Sequence, residues 1–397
     1  MNTHICHFEA LDTWFFREAR PHGSVGASEL GSHFPPPVRT LLGALRTLIG
    51  DAWLARHGGD WRAFASDTAH PLRALIGFGD DLGPLRASGP FLTLDGQRLY
   101  PAPANLMVKE QAGQAHHFLL DLGTPVHCDL GRVHLPGFPA QVPGLSDLAS
   151  SKPAQNCWLK EAGLQAVLQG QAPASSDVVK TEKLYNEEPR LGIGRDNRRQ
   201  SVQEGLLYQT RHLRLCSGVA VELHLHGLHD DSLLPAQTTL RLGGEGRMAG
   251  LSIKKESCSR LSVLGLRAKT PVFSLYALTS APCAAGLPAG IPAGFAPARH
   301  EGADVWEGEL GGQRLRVLGV ACARAVREGG WDMASHQPRA VHSLLPAGSV
   351  LYVQALAPHD FDPAALTGLA SATGQGLYIA GQLPAGTQFH PSTTLQG

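Results

Sequence analysis

Apolar side chains at Val38, Leu41, Leu42, Leu45, Leu48, Ile49, Ala52 and Trp53 recur at the spacing of one helical face. Pro36 and Pro37 precede the run and Gly58-Gly59 follow it, a proline start and a glycine stop that bracket a helix. Another face carries Arg39, Gly43, Arg46 and Gly50, so two guanidinium forks alternate with two positions that lack side-chain bulk. The pattern suits close approach of a phosphate backbone. It suits equally a neighbouring helix seated on the glycines with the arginines in solvent.

Elsewhere 46 glycines and 28 prolines punctuate the 397 residues without a collagen-like period. Ile5 to Phe16 mixes β-formers and aromatics and predicts an opening strand whose exit carries Arg17 and Arg20. From Pro71 to Pro153 short apolar runs predict strands and insertions, and Asn156 to Leu168 predicts a helix. Leu213 and Leu215, a Cys216-Ser217-Gly218 turn, then Val219, Val221, Leu223 and Leu225 against Glu222, His224 and His226 predict a β-hairpin. Asp230-Asp231-Ser232 starts a predicted helix, a glycine loop Gly243-Gly244-Glu245-Gly246-Arg247 comes after it, and a strand follows around Leu251 to Lys254. These elements predict an α+β fold of the ferredoxin-like (RRM-like) type. Length predicts two or three domains with substantial cores.

Thirty-four basic side chains balance thirty-four acidic ones, so nucleic-acid binding through a global cationic field is excluded and any such site must be local. Eight lysines leave 26 arginines, and arginine is the better fork for phosphates. Between Arg190 and Arg214 six arginines face only Asp196 and Glu204, a local basic patch that includes Arg195, Asn197, Arg198 and Arg199. Seven scattered cysteines with no C-x-x-C pair argue against zinc knuckles and a disulfide framework, and point to a reducing cytoplasm. The first residues lack the pattern of an export signal, and no window of about 18 apolar residues occurs.

Signatures of catalysis are weak. Gly244-x-Gly246-x-x-x-Gly250 has the wrong spacing for a dinucleotide fingerprint, and no Walker segment or G-x-S-x-G elbow is present. The loop can let backbone N–H groups approach an anion while Arg247 supplies charge. His224, His226 and His229 with Asp230 and Asp231 form the most metal-like cluster, but without the acidic partners of a binuclear hydrolase; polar histidines on a hairpin face are the expected reading, with no metal and no cofactor. His33, His336 and His342 could serve as general bases only if folding placed them beside a ribose hydroxyl.

Several segments together resemble the RAMP superfamily of CRISPR proteins, and within it the third subunit of the Cmr-type (type III-B) effector complex. They are LDTWFFREARP (Leu11 to Pro21), FPPPVRTLLGALRT (Phe34 to Thr47), GIGRDNRRQSVQEGLLY (Gly192 to Tyr208), RLGGEGRMAGL (Arg241 to Leu251) and GGWDMASHQPRAVHSLLPAGSVLYV (Gly329 to Val353). Thr279-Ser280 departs from the usual Thr-Pro, and residues 83–147 match poorly. The resemblance implies two ferredoxin-like domains, expected at residues 1–180 with loop-rich insertions and 181–397 with the glycine-rich loop, and no catalytic role. It also implies binding of the crRNA 5′ handle and docking of the large polymerase-like subunit and the adjacent RAMP backbone subunit. The expected RNA grip combines Arg17, Arg20, the Arg39-Gly43-Arg46 face, the segment Arg195, Asn197, Arg198 and Arg199, and the loop Gly243, Gly244, Gly246 and Arg247. A crRNA-processing endoribonuclease, or the equivalent subunit of another type III complex, is the alternative.

Overall fold

The computed structural model describes residues 3–18, 28–196, 198–199, 201–256, 271–283, 290–333, 336–357, 361–366 and 371–387. Arg20 and Asn197 lie outside them. The chain is α+β and rich in strands, arranged in several sheets.

The first large sheet contains β1 (Thr3–Ala10), β2 (Arg86–Leu94), β3 (Gln97–Pro101), β4 (Cys157–Leu159) and β5 (Val178–Lys180). Beyond a long ribbon, β6 (Tyr185–Asp196) and β7 (Ser201–Leu215), with the short strand Ser28–Leu30 paired in parallel to β7, the chain returns to this sheet as β8 (Val219–His226), β9 (Gln237–Arg241) and β10 (Met248–Glu256). The spatial order is β5-β4-β3-β2-β8-β1-β10-β9. A second sheet, built from β11 (Val272–Ala277), β12 (Phe295–His300), β13 (Ala303–Leu310), β14 (Gln313–Ala321), β15 (Val350–Ala355) and β16 (Tyr378–Gly381), runs β12-β13-β14-β15-β11-β16. Four strands of each sheet share one arrangement: β2-β8-β1-β10 and β14-β15-β11-β16, the second, third, first and fourth in chain order, antiparallel throughout.

Strand alternation sorts the side chains. Cys6 and Phe8 of β1 and Val221, Leu223 and Leu225 of β8 point to one face, where α1 (Val38–His57) buries Leu41, Leu42, Leu45 and Ile49. Each such aliphatic side chain contributes roughly 1.5–3 kcal/mol of burial. Phe91 and Tyr100 leave the opposite face of this sheet and meet Tyr276, Leu318, Val350, Tyr352 and Ile379 of the second sheet, so the two sheets are joined by a shared apolar layer. A third core lies beyond the second sheet, around Phe273, Leu275, Trp306, Val353 and Phe361.

The helix expected from the apolar repeat is α1 with its glycine stop at Gly58, whose φ is +79°. Four expectations are corrected. The expected opening strand to Phe16 ends at Ala10, beyond which Asp12 to Arg17 runs as an irregular segment. The Leu213–Leu225 alternation is real, but β7 and β8 do not pair with each other: β7 pairs with β6 and β8 with β1 and β2. Apart from its last residue β8 is buried along its whole length, so it needs a neighbour on either side, and the Cys216–Gly218 turn crosses between sheets. The Asp230 start yields only a 3-10 turn, Asp231–Leu233, capped by Asp230, and the glycine loop therefore joins two strands, β9 and β10. The expected 156–168 helix begins only at Glu161, after β4. Because β8 and β10 flank β1, a division at residue 180 runs through the first sheet.

Candidate nucleic-acid interface

The segment Asp12 to Arg17, just beyond β1, holds several of the sequence-nominated elements together. Trp14 exchanges backbone hydrogen bonds with Leu213 at 2.9 and 2.8 Å and its indole Nε1 donates to the Met248 carbonyl at 3.2 Å. The Phe15 carbonyl accepts from Gly244 N at 2.7 Å, and the Phe16 carbonyl accepts from His33 N at 2.8 Å, a few residues before α1. Arg17 bridges to Ser32 and is itself exposed. Trp14, Phe15 and Phe16 are buried, so their apolar rings anchor the segment while their backbone organises the glycine loop, the base of the ribbon and the entry to α1.

The loop is closed by Leu242 N donating to the Arg247 carbonyl at 2.8 Å. Gly243 has φ +86°, and a Cβ there would lie 2.6 Å from the Phe15 carbonyl oxygen; at Gly244 it would lie 3.0 Å from the Phe15 ring. Gly243 is therefore required by its left-handed backbone and the Phe15 carbonyl, whereas at Gly244 the Phe15 ring would have to give by a few tenths of an ångström. Gly246, with φ +65°, faces open space. Beneath the loop His212 is fully buried, 3.0 Å from Thr13 Oγ1 and 2.9 Å from Glu245, its ring stacked on Phe15. Burial pushes this imidazole below its usual pKa, with Glu245 acting against the shift.

Arg247 lies 3.3 Å from Asp12 and 3.6 Å from Glu245. Arg190 and Arg214, on the ribbon, reach the same Asp12 carboxylate at 3.5 and 3.1 Å, and Glu188 at 2.6 Å each. On α1, Arg39 donates to Asp80 at 2.8 Å, and Arg46 clamps the carbonyls of Gly79 and Asp81 at 3.0 and 3.2 Å. Arg339, which the sequence reading missed, also binds Asp80 and holds Asp332 at 3.2 Å. Burial lowers the Arg46 pKa, Asp81 acts against it, and the nearby Arg339 charge lowers it further. Gly43 has nothing within 4 Å of an added Cβ, whereas the space over Gly50 is filled by the Trp61 ring. Helix α1 thus offers one open glycine flanked by two anchored arginines.

The remaining nominated residues are elsewhere. Arg195 sits at a bulge in β6, and Arg198 and Arg199 are exposed in the turn at the ribbon's far end. Arg195 lies five strand residues beyond Arg190, about 17 Å at the rise of an extended chain, so the structure does not gather this group at the glycine loop. The histidine cluster disperses: His224 is buried beside Glu222 at 2.6 Å, His226 bonds Thr3 and Ser88, and His229 is exposed.

Fold and site define an α+β protein that presents anchored arginines around an aromatic-pinned glycine loop. The chain belongs to the family described as CRISPR-associated protein (Cas_Cmr3), whose model matches residues 6–379, in agreement with the resemblance carried by the five segments. Among curated proteins none matches. Solved structures similar to it include a chain of the type III-B Cmr-beta complex bound to cognate target RNA and AMPPnP (14% identity, 88% of this chain and 86% of that chain, TM-score 0.46). Others are a chain of the Csm1-Csm4 cassette in complex with AMPPNP (12%, 96% and 96%, 0.32) and one of the Csm3-Csm4 subcomplex of the type III-A interference complex (9%, 98% and 100%, 0.35). Among the described residues no helix is long and apolar enough to cross a membrane.

Proposed function

We propose that this chain is a non-catalytic RNA-binding subunit of a type III-B CRISPR effector complex, gripping the 5′ handle of the crRNA and docking the large polymerase-like subunit and the adjacent backbone subunit. The observation that carries the reading is the Asp12–Arg17 segment, which ties the glycine loop, the arginine-bearing ribbon base and the entry to α1 to one another. Single-stranded RNA, with unstacked bases and an accessible backbone, is the ligand that arginine-rich loops and sheet faces grip. The second-third-first-fourth strand order in both sheets, with α1 as the first crossover of one, supports a pair of ferredoxin-like units. His212 and His224 are buried and hydrogen-bonded inside the fold, which suits a structural role for them.

The chain purified with its genomic neighbours should carry RNAs that share a 5′ handle, and its handle affinity should be higher with the large subunit than alone; equal affinities would count against a shared site. Arg39→Ala and Arg247→Ala should each weaken handle and scrambled RNA similarly and flatten the log–log salt dependence by about one unit, with the melting temperature little changed. If both bind like wild type, the RNA lies elsewhere. Repeat RNA incubated with the pure chain in chelator should stay intact. Cutting that disappears on a single His→Ala change would favour the endoribonuclease reading.

A further inference from the structure

Three arginines from two distant parts of the chain converge on one exposed carboxylate. Arg190 and Arg214 come from neighbouring strands of the ribbon and Arg247 from the glycine loop, and all three reach Asp12, at 3.5, 3.1 and 3.3 Å. The carboxylates of the cluster are not equivalent. Glu188 holds Arg190 and Arg214 at 2.6 Å, whereas every Asp12 contact is longer and its side chain is 51% exposed. An exposed ion pair of this kind is weak, screened by salt and readily exchanged for another anion. Three converging guanidinium forks are better matched to a tetrahedral oxyanion, which offers more acceptor oxygens than a carboxylate.

We propose that Arg190, Arg214 and Arg247 form a phosphate cradle in which the Asp12 carboxylate occupies the phosphate position, so that a backbone phosphate of single-stranded RNA enters by displacing Asp12. The proposal rests on the RNA-binding reading above and adds to it two ribbon arginines and an internal competitor. With Asp12 in place, Asp12, Glu188 and Glu245 balance the three arginines; removing the Asp12 charge leaves one positive charge facing solvent. Asp12 therefore sets the strength of the grip, holding bare arginines away from unrelated polyanions until a correctly placed phosphate competes.

Asp12→Asn keeps the side chain's size while removing its charge. In the full-length chain it should tighten binding of an eight-nucleotide single-stranded RNA roughly five-fold at low salt and steepen the salt slope by about one unit. Arg214→Gln added to Asp12→Asn should cancel the gain. Inorganic phosphate should raise the melting temperature of the Asp12→Asn chain at concentrations that leave wild type unmoved. If Asp12→Asn binds RNA like wild type and phosphate does not stabilise it, the cradle is wrong, while the handle reading stands as long as handle is preferred to scrambled RNA. A gain that survives Arg214→Gln is a global charge effect and also overturns the cradle. If phosphate stabilises the Asp12→Asn chain but neither form prefers the handle, the cradle stands and the handle reading falls.

Discussion

Gly243→Val is expected to lose RNA binding and roughly 3 kcal/mol of stability together. A β-branched residue at φ +86° is strained, and its Cβ would meet the Phe15 carbonyl oxygen, a backbone atom that also accepts from Gly244 N and cannot retreat without opening the loop. Gly246→Val should behave more mildly, about 1–2 kcal/mol, because its φ of +65° is strained but the space around it is open. Urea midpoints and handle affinities for the two variants decide the matter. Equal destabilisation would mean that the contact with Phe15 is not what requires glycine.

Arg98→Ala should be the most damaging charge deletion in the first sheet, at about 3–5 kcal/mol. Arg98 and Glu222 form a buried ion pair, with the Arg98 guanidinium 4.7 Å from the centre of the Phe91 ring and 3.0 Å from His224 Nε2. Removing the arginine leaves a carboxylate in an apolar layer with only His224 at 2.6 Å and His7 at 3.8 Å. Burial by itself would raise the Glu222 pKa; the His224 hydrogen bond and the Arg98 charge overcome it and hold the group at about 2, against an ordinary 4.5. A folded-state pKa below the unfolded one means that the stabilisation is fully present above pH 4.5 and lost as pH falls toward 2. Glu222→Gln should cost roughly 3 kcal/mol at pH 7 and much less at pH 2, measured as urea midpoints at the two pH values. A constant difference across that range would show that Glu222 is not ionised in the fold.

Local pattern alone identified α1, because an apolar period of 3.6 residues closed by a glycine requires no knowledge of neighbours. It identified the strands around Leu213 and Val219, since alternation of apolar and polar residues has the two-residue period of an extended chain, and it flagged the glycine loop. The same alternation contains nothing about which strand pairs with which, and so the expected hairpin at Cys216 proved to be a crossing between sheets. The glycine loop was legible as a place without side chains, but the reason, a backbone contact with Phe15 more than two hundred residues earlier, exists only in the folded chain.

The sequence by itself determined the helical face with Arg39 and Arg46, the local basic stretch from Arg190 to Arg214, the presence of a glycine-rich loop at Gly243, Gly244 and Gly246, and family membership through segments spread along the chain. Tertiary structure alone decided that β8 and β10 flank β1 across a gap of over two hundred residues, that Arg339 shares Asp80 with Arg39, and that Arg190, Arg214 and Arg247 share Asp12. The physical reason is one of range. Periodicity and turn chemistry act over a few residues, while sheet pairing and charge clustering depend on which distant segments hydrophobic burial brings together.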